Sequence, residues 1–118
     1  MSDCSVGDKI DLQQQKHNII DRLIKERLVD AKPDLSKVNL NGIYLSGANF
    51  RSVSLNHAKL EKANLNRTCL SQSYLVNANL QNATLKYAKL TDAVLNQANL
   101  ANVKLNIATL THSHLARC

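Results

Sequence analysis

Large apolar residues recur at every fifth position through most of this chain. From residue 35 to residue 115, the seventeen positions at this spacing are all Leu except position 50, which is Phe. On an α-helix these side chains would spiral around every face, and on a long strand they would alternate between two faces. They can all point inward only if the chain turns a corner once per repeat. Four corners then close a coil of about twenty residues, and stacked coils form a solenoid.

The residue two positions before each of these leucines is small in most repeats. Nine of the seventeen are Ala, and most of the others are Val, Ile, Ser or Thr. An inward position beside a corner has little room, so a small side chain fits where Leu would clash. The other three positions are mostly Asn, Lys, Ser, Thr and Gln, which is typical of an outer surface. Each repeat is therefore predicted to supply one large and one small core residue.

Four repeats share the same short motif: Ala48-Asn49-Phe50, Ala63-Asn64-Leu65, Ala78-Asn79-Leu80 and Ala98-Asn99-Leu100. They resemble the Ala-Asp/Asn-Leu-x-x motif of the pentapeptide repeat family. The resemblance implies an all-β solenoid over residues 33–118, namely a right-handed quadrilateral β-helix of about four coils. Because the family does not share one activity, the resemblance predicts the fold and leaves the function open.

The residues before the repeats have a helical pattern. One apolar stripe is formed by Ile19, Ile20, Leu23, Ile24 and Leu28. We therefore predict a flexible N-terminus over residues 1–8 and a helix over residues 9–32, which Pro33 ends. The first coil of a solenoid exposes leucines and strand edges unless something covers them, so we expect this helix to be its cap. Its polar face carries as many acids as bases, which does not favour a membrane-surface helix.

The charges of the chain are unevenly distributed. Residues 1–34 contain six bases and seven acids, whereas residues 35–118 contain nine bases and two acids. The bases are spread over at least three predicted faces of the solenoid. A basic surface attracts nucleic acid, so electrostatic nucleic-acid binding is our alternative hypothesis for the function. The chain has only four aromatic residues, which does not favour a platform for stacking single-stranded bases.

Chemically reactive groups are sparse in the repeats. The two carboxylates after residue 35, Glu61 and Asp92, are predicted to lie on opposite faces, too far apart for paired acid–base catalysis. No Ser, Cys or Lys has a base beside it in the arrangement that nucleophilic catalysis requires. His112, His114 and Cys118 could form a weak metal site, although such residues near a chain end more often bind nothing. We predict a protein that is not an enzyme and has no cofactor and no metal.

The cysteines and the start of the chain bear on its location. The three cysteines, Cys4, Cys69 and Cys118, have no metal-binding spacing, and we expect Cys69 to be an exposed thiol because it precedes a core Leu. The chain has no apolar run of about 18 residues and does not begin with a secretory signal pattern. We expect a cytoplasmic protein, and a bacterial one because the resembled family is abundant in bacteria. A secreted effector is the alternative.

Stacking every twenty residues gathers the outward apolar side chains into two clusters. The first consists of Tyr74, Val76 and Val94. The second consists of Arg67, Tyr87 and Ile107. These six residues are our candidates for a partner-binding surface. We predict a structural scaffold that holds a protein partner or a second copy, the latter through the last coil or one of the clusters.

A third function follows from the resemblance alone. Some family members mimic DNA and bind gyrase, a type II topoisomerase, and thereby protect it. That activity needs a long acidic face, whereas residues 35–118 contain two acids. It is therefore the least supported of the three functions.

The cap hypothesis makes the first testable prediction. Deletion of residues 1–32 should expose the first coil and give soluble aggregates or insoluble protein, because a bare strand edge invites intermolecular pairing. Size-exclusion chromatography of the truncated chain measures this. A folded monomeric product would show that these residues do not act as a cap.

Overall fold

The computed structural model describes residues 33–118. The helix predicted over residues 9–32 and the flexible N-terminus predicted over residues 1–8 lie outside the described residues. Within residues 33–118 the chain forms neither an α-helix nor a strand longer than one bridged residue. This part of the chain therefore has no helix that could cross a lipid bilayer. Instead, every repeat has one β-bridge residue immediately before its central residue and a two-residue turn immediately after it.

Parallel β-bridges stack the repeats into coils. Each bridge joins two residues twenty apart, from Asp34–Ser54 at one end of the described chain to Val94–His114 at the other. The hydrogen bonds run in both directions, since the N–H of Leu75 donates to the carbonyl of Val94 at 2.7 Å and the N–H of Tyr74 donates to the carbonyl of Val53 at 3.0 Å. We label the coils in chain order: coil 1 (33–52), coil 2 (53–72), coil 3 (73–92) and coil 4 (93–112).

One tight turn per repeat makes the corners of each coil. The carbonyl of each central residue accepts a hydrogen bond from the N–H three residues later, as between Leu75 and Ala78 at 3.1 Å. The second residue after each centre has a positive φ, between 58° and 81°, while the first does not. These two features define a type II turn, which favours Gly or Asn at the positive-φ position. Gly42 and Gly47 both lie there, as expected for corner glycines.

The inward residues form one continuous core. Central residues from Leu35 to Leu95 are at most 5% exposed, and the small inward residues from Ile43 to Ala98 are at most 3% exposed. The small position also accepts a hydroxyl, because Ser73 donates to the carbonyl of Leu70 at 2.6 Å. The predicted pair of inward positions per repeat is therefore confirmed through Leu95 and Ala98. From Leu100 on, the central residues are only half-buried, and Leu115 is 40% exposed.

Asparagine side chains accept many of the backbone N–H groups that have no backbone partner. Among the described residues, backbone bonds use the N–H groups at four of the five repeat positions and omit the one directly after the centre. In nine of the seventeen described turns that N–H donates to an Asn side chain. The Asn belongs to the same repeat, as where Gln81 donates to Asn79 Oδ1 at 3.1 Å, or to the preceding coil, as where Lys86 donates to Asn66 Oδ1 at 2.9 Å. The Asn of the Ala-Asn-Leu motif is thus a structural acceptor.

Cys69 differs from its prediction. It lies on an outward position, bridged to Asn49 and Lys89, but it is 2% exposed and disulfide-bonded. The prediction of an exposed free thiol is therefore wrong. The repeat pattern gives the direction of a side chain, and it does not tell what covers that side chain.

Two adjacent substitutions test the assignment of inward and outward positions. Leu75→Lys buries a charge at a fully buried site, which should lower the free energy of unfolding by about 3–5 kcal/mol. Tyr74→Lys changes a side chain that is 44% exposed, so the loss should stay below about 1 kcal/mol. Thermal melts followed by circular dichroism measure both variants, since the chain has no Trp. Equal losses would refute the five-residue assignment.

Candidate interaction surface

The stacked turns form four columns on the outside of the described chain. Bridges between residues twenty apart place each turn directly above the corresponding turn of the preceding coil. We call these columns corners 1, 2, 3 and 4, after the central residues 35, 40, 45 and 50 that they follow in coil 1. Between them lie flat faces that carry the β-bridge residues.

The chemically reactive residues are distributed over different corners. Glu61 lies in corner 2, and Asp92 lies in corner 4 with its Oδ1 atom 3.9 Å from Nδ1 of exposed His112. On another face, the side chain and the N–H of Ser36 form hydrogen bonds that lower the pKa of the exposed Asp34 carboxyl. Within residues 33–118 the structure brings no three potential metal ligands together. The described carboxylates thus form no acid–base pair.

The first predicted cluster lies on one flat face and its corner. Tyr74 and Val94 are directly bridged in neighbouring coils, and Val76 follows Tyr74 by two residues. The N–H of Val76 donates to Asn56 Oδ1 at 2.9 Å, which fixes this part of the turn. Tyr74 is 44% exposed, whereas both valines are half-buried. The cluster therefore offers one exposed aromatic ring on a largely covered aliphatic base.

The second predicted cluster stacks vertically in corner 3. Arg67, Tyr87 and Ile107 occupy the same turn position in coils 2, 3 and 4. Cζ of Arg67 lies 4.7 Å from the centroid of the Tyr87 ring, which is the geometry of a cation–π contact. Ile107, at the end of the column, is 72% exposed. This cluster thus presents a guanidinium, an aromatic ring and an aliphatic side chain in one line.

Ile107 also has an unfavourable backbone conformation. It lies at the positive-φ position of its turn, with a φ of 58°. A β-branched residue rarely adopts this conformation, because its branched Cβ crowds the backbone. Ile107 is the only β-branched residue at this position among the seventeen described turns. Ile107 is therefore both exposed and strained, and it does not pack in the core.

Corner 3 also concentrates positive charge. Besides Arg67 it carries Lys86, and the flat faces on either side of it carry Lys89 and Lys104. All four side chains are exposed, and no ion pair among the described residues involves them. Taken with its flanking faces, corner 3 is the only corner of residues 33–118 without a carboxylate. The sequence reading spread the bases over several faces and did not recognise this concentration.

Comparison with known proteins identifies relatives of the same architecture. A family model of pentapeptide repeats matches residues 34–72 and 73–111, with eight copies. A crystal structure of a pentapeptide repeat protein from Nostoc PCC 7120 is 34% identical over 73% of this chain and 74% of that protein, with a TM-score of 0.63. HetL, a pentapeptide repeat protein involved in heterocyst differentiation regulation in a Nostoc strain, is 36% identical, with a TM-score of 0.44. That similarity covers 68% of this chain and 39% of HetL. No curated protein matches the chain.

The strain at Ile107 predicts a stabilising substitution. Ile107→Asn places a residue that tolerates positive φ in the same turn, so the free energy of unfolding should rise by about 0.5–1 kcal/mol. The matched control is Thr111→Asn, which replaces an exposed β-branched residue of the same coil where φ is not positive. Urea unfolding followed by circular dichroism measures both. A destabilised Ile107→Asn variant would show that the Ile side chain stabilises the corner.

Proposed function

This chain belongs to the pentapeptide repeat family, and we propose that it acts as a non-enzymatic scaffold whose lateral surface binds a protein partner. Members of the family form right-handed quadrilateral β-helices, which is also the architecture of the described residues. The proposal includes about four coils, with residues 9–32 as a helical cap on the first. The partner is another protein or a second copy of this chain.

The exposure of large apolar side chains on a regular surface supports this proposal. Tyr87 and Ile107 of corner 3 are 47% and 72% exposed, and Tyr74 on a different face is 44% exposed. These side chains are not needed to form the core, since other residues already fill both inward positions of each repeat. Aromatic residues and Arg are enriched in the centres of protein interfaces, where they bury area with few rotatable bonds.

Rigidity of the surface also favours a binding role. The backbone around Tyr87 is fixed by a hydrogen bond from its own N–H to the carbonyl of Asn106 at 3.0 Å. The N–H of Arg67 donates to the carbonyl of Lys86 at 2.8 Å in the same way. A partner that binds such a surface orders little additional backbone, which reduces the entropic cost of association.

Electrostatic binding of nucleic acid is the second candidate function. Residues 33–118 contain nine bases and three carboxylates, and this imbalance supports it. One face of the Tyr87 ring is already covered by Arg67, so that face is not available for stacking a base. Phosphate contacts alone would give binding that weakens steeply as salt rises. We therefore place this function second.

Site-specific photo-crosslinking tests the scaffold proposal. A photoreactive phenylalanine analogue is introduced at Tyr87 or at Tyr74, and the chain is irradiated in its source organism. The matched control position is Asn82, which occupies the same turn position in the same coil at corner 2 and is also exposed. We expect a discrete protein adduct from at least one tyrosine position and not from the control, identified by mass spectrometry.

The composition of the adduct distinguishes the candidate partners. An adduct that contains only this chain, at twice its mass, identifies a second copy. An adduct that disappears after nuclease treatment supports nucleic-acid binding instead. Equal labelling at Asn82 would contradict a localised protein-binding surface.

A further inference from the structure

We propose that corner 3 binds an acidic segment of a partner protein, one that carries an apolar side chain among its carboxylates. The site consists of Arg67, Tyr87 and Ile107 in the column, with Lys86, Lys89 and Lys104 around it. This inference rests on the proposed scaffold function and assigns its surface and the chemistry of its partner.

The arrangement of charge selects an anionic partner. Arg67, Lys86 and Lys104 belong to three successive coils, and Lys89 lies on the next face of coil 3. With neighbouring coils about 4.8 Å apart, the column is about 10 Å high. Alternate carboxylates of an extended peptide are about 7 Å apart, so two or three of them match this column. Because no described carboxylate lies at this corner, an incoming acid meets no like charge.

The apolar end of the column favours a peptide over a nucleic acid. Ile107 is 72% exposed, and a phosphate backbone has no aliphatic group to pack against it. The Tyr87 ring already contacts the Arg67 guanidinium, with 4.7 Å between Cζ and the ring centroid. This contact also directs the charge of Arg67 toward the column. An acidic peptide with one aliphatic side chain pairs with the bases and covers Ile107 at the same time.

The strained conformation of Ile107 supports the same assignment. Within residues 33–118, every other turn position with positive φ carries Gly or a residue without a branched Cβ. Ile107, the one exception, is also the most exposed of the large hydrophobic residues that the structure describes. A binding role accounts for an Ile that the turn itself disfavours.

A defined peptide probe tests this site on the full chain. The probe is a fluorescent peptide of about ten Glu and Asp residues with one central Leu, long enough at about 3.3 Å per residue to cover the column. A second probe has Ser in place of Leu, and a third is single-stranded oligo(dT) of similar charge. Binding is measured by fluorescence anisotropy at low and at near-physiological salt.

Charge reversal at the corner is the main variant. We expect Lys86→Glu, Lys89→Glu and Lys104→Glu together to weaken binding of the Leu peptide by about tenfold or more, since three favourable pairs become repulsive. All three residues are exposed, so circular dichroism should show an unchanged fold. If the triple variant unfolds, the single Lys86→Glu variant replaces it.

The matched control changes the same net charge elsewhere. Lys37→Glu, Arg51→Glu and Lys59→Glu together reverse three exposed bases that lie outside corner 3 and its flanking faces. We expect this variant to weaken peptide binding by less than about threefold, because the exposed charges are screened over these distances. Equal weakening by the two triple variants would overturn the proposal, since binding would then follow net charge alone.

The apolar contact has its own test. Ile107→Asn should weaken binding of the Leu peptide by about fivefold, in line with loss of one aliphatic contact, and leave the Ser peptide unchanged. Equal binding of the two peptides by the native chain would overturn the apolar part of the site. Tighter binding of oligo(dT) than of either peptide would overturn the choice of a protein partner.

The result of the peptide-binding experiment can be distinguished from that of the crosslinking experiment. A specific protein adduct at Tyr74, together with no acidic-peptide binding at corner 3, would overturn this inference and leave the scaffold function in place. Failure of both experiments would overturn both. Peptide binding that depends on Lys86, Lys89, Lys104 and Ile107 supports the inference.

Discussion

The backbone hydrogen bonds between coils are the constraint on which the rest of the structure depends. Each repeat has only one bridged residue, so no strand is long enough to stabilise itself, and stability comes from pairing at a separation of twenty residues. Two N–H groups per repeat donate to the following coil, and one donates to the preceding coil. If each bond contributes about 0.5–1.5 kcal/mol net, the contribution is modest for one repeat and large for a stack. The core Leu and Ala residues fit because this pairing holds every coil in the same register.

The type II turn explains why the outer residues are not arbitrary. The positive φ at its second residue disfavours most side chains. The N–H of its first residue, directly after the inward Leu, donates to no backbone carbonyl. Asn suits both positions. It tolerates a positive φ, as at Asn77, and its side-chain oxygen accepts the N–H that has no backbone acceptor, as at Asn79. The abundance of Asn on the surface is therefore a property of the fold and carries no information about a ligand.

The sequence predicted the architecture well because the Leu spacing has no alternative explanation that keeps every large side chain inside. It also predicted that Arg67, Tyr87 and Ile107 share a column, since a period of twenty residues suffices for that. The burial of Cys69 was missed because a repeat pattern cannot show what covers an outward residue. The charge concentration at corner 3 was missed because the sequence analysis assigned residues to separate faces. Lys86 and Lys89 then belong to different faces, whereas in the structure both lie at corner 3 or directly beside it. The strain at Ile107 can be recognised only when the sign of φ at its turn position is known. The sequence indicates a positive φ there only through Gly42 and Gly47, which occupy the same position in other turns.

The difference between the five-residue repeat and the twenty-residue coil has a consequence for how such a chain can change over generations. Loss or gain of one repeat leaves the core composition intact, because every repeat supplies the same two inward residues. It nevertheless rotates everything downstream by a quarter turn, so that a change between Arg67 and Tyr87 would remove Tyr87 from its place above Arg67. Only insertions and deletions of four repeats keep a surface column continuous. The fold therefore tolerates short duplications far more readily than any binding surface built upon it, and related chains of different length need not display the same faces.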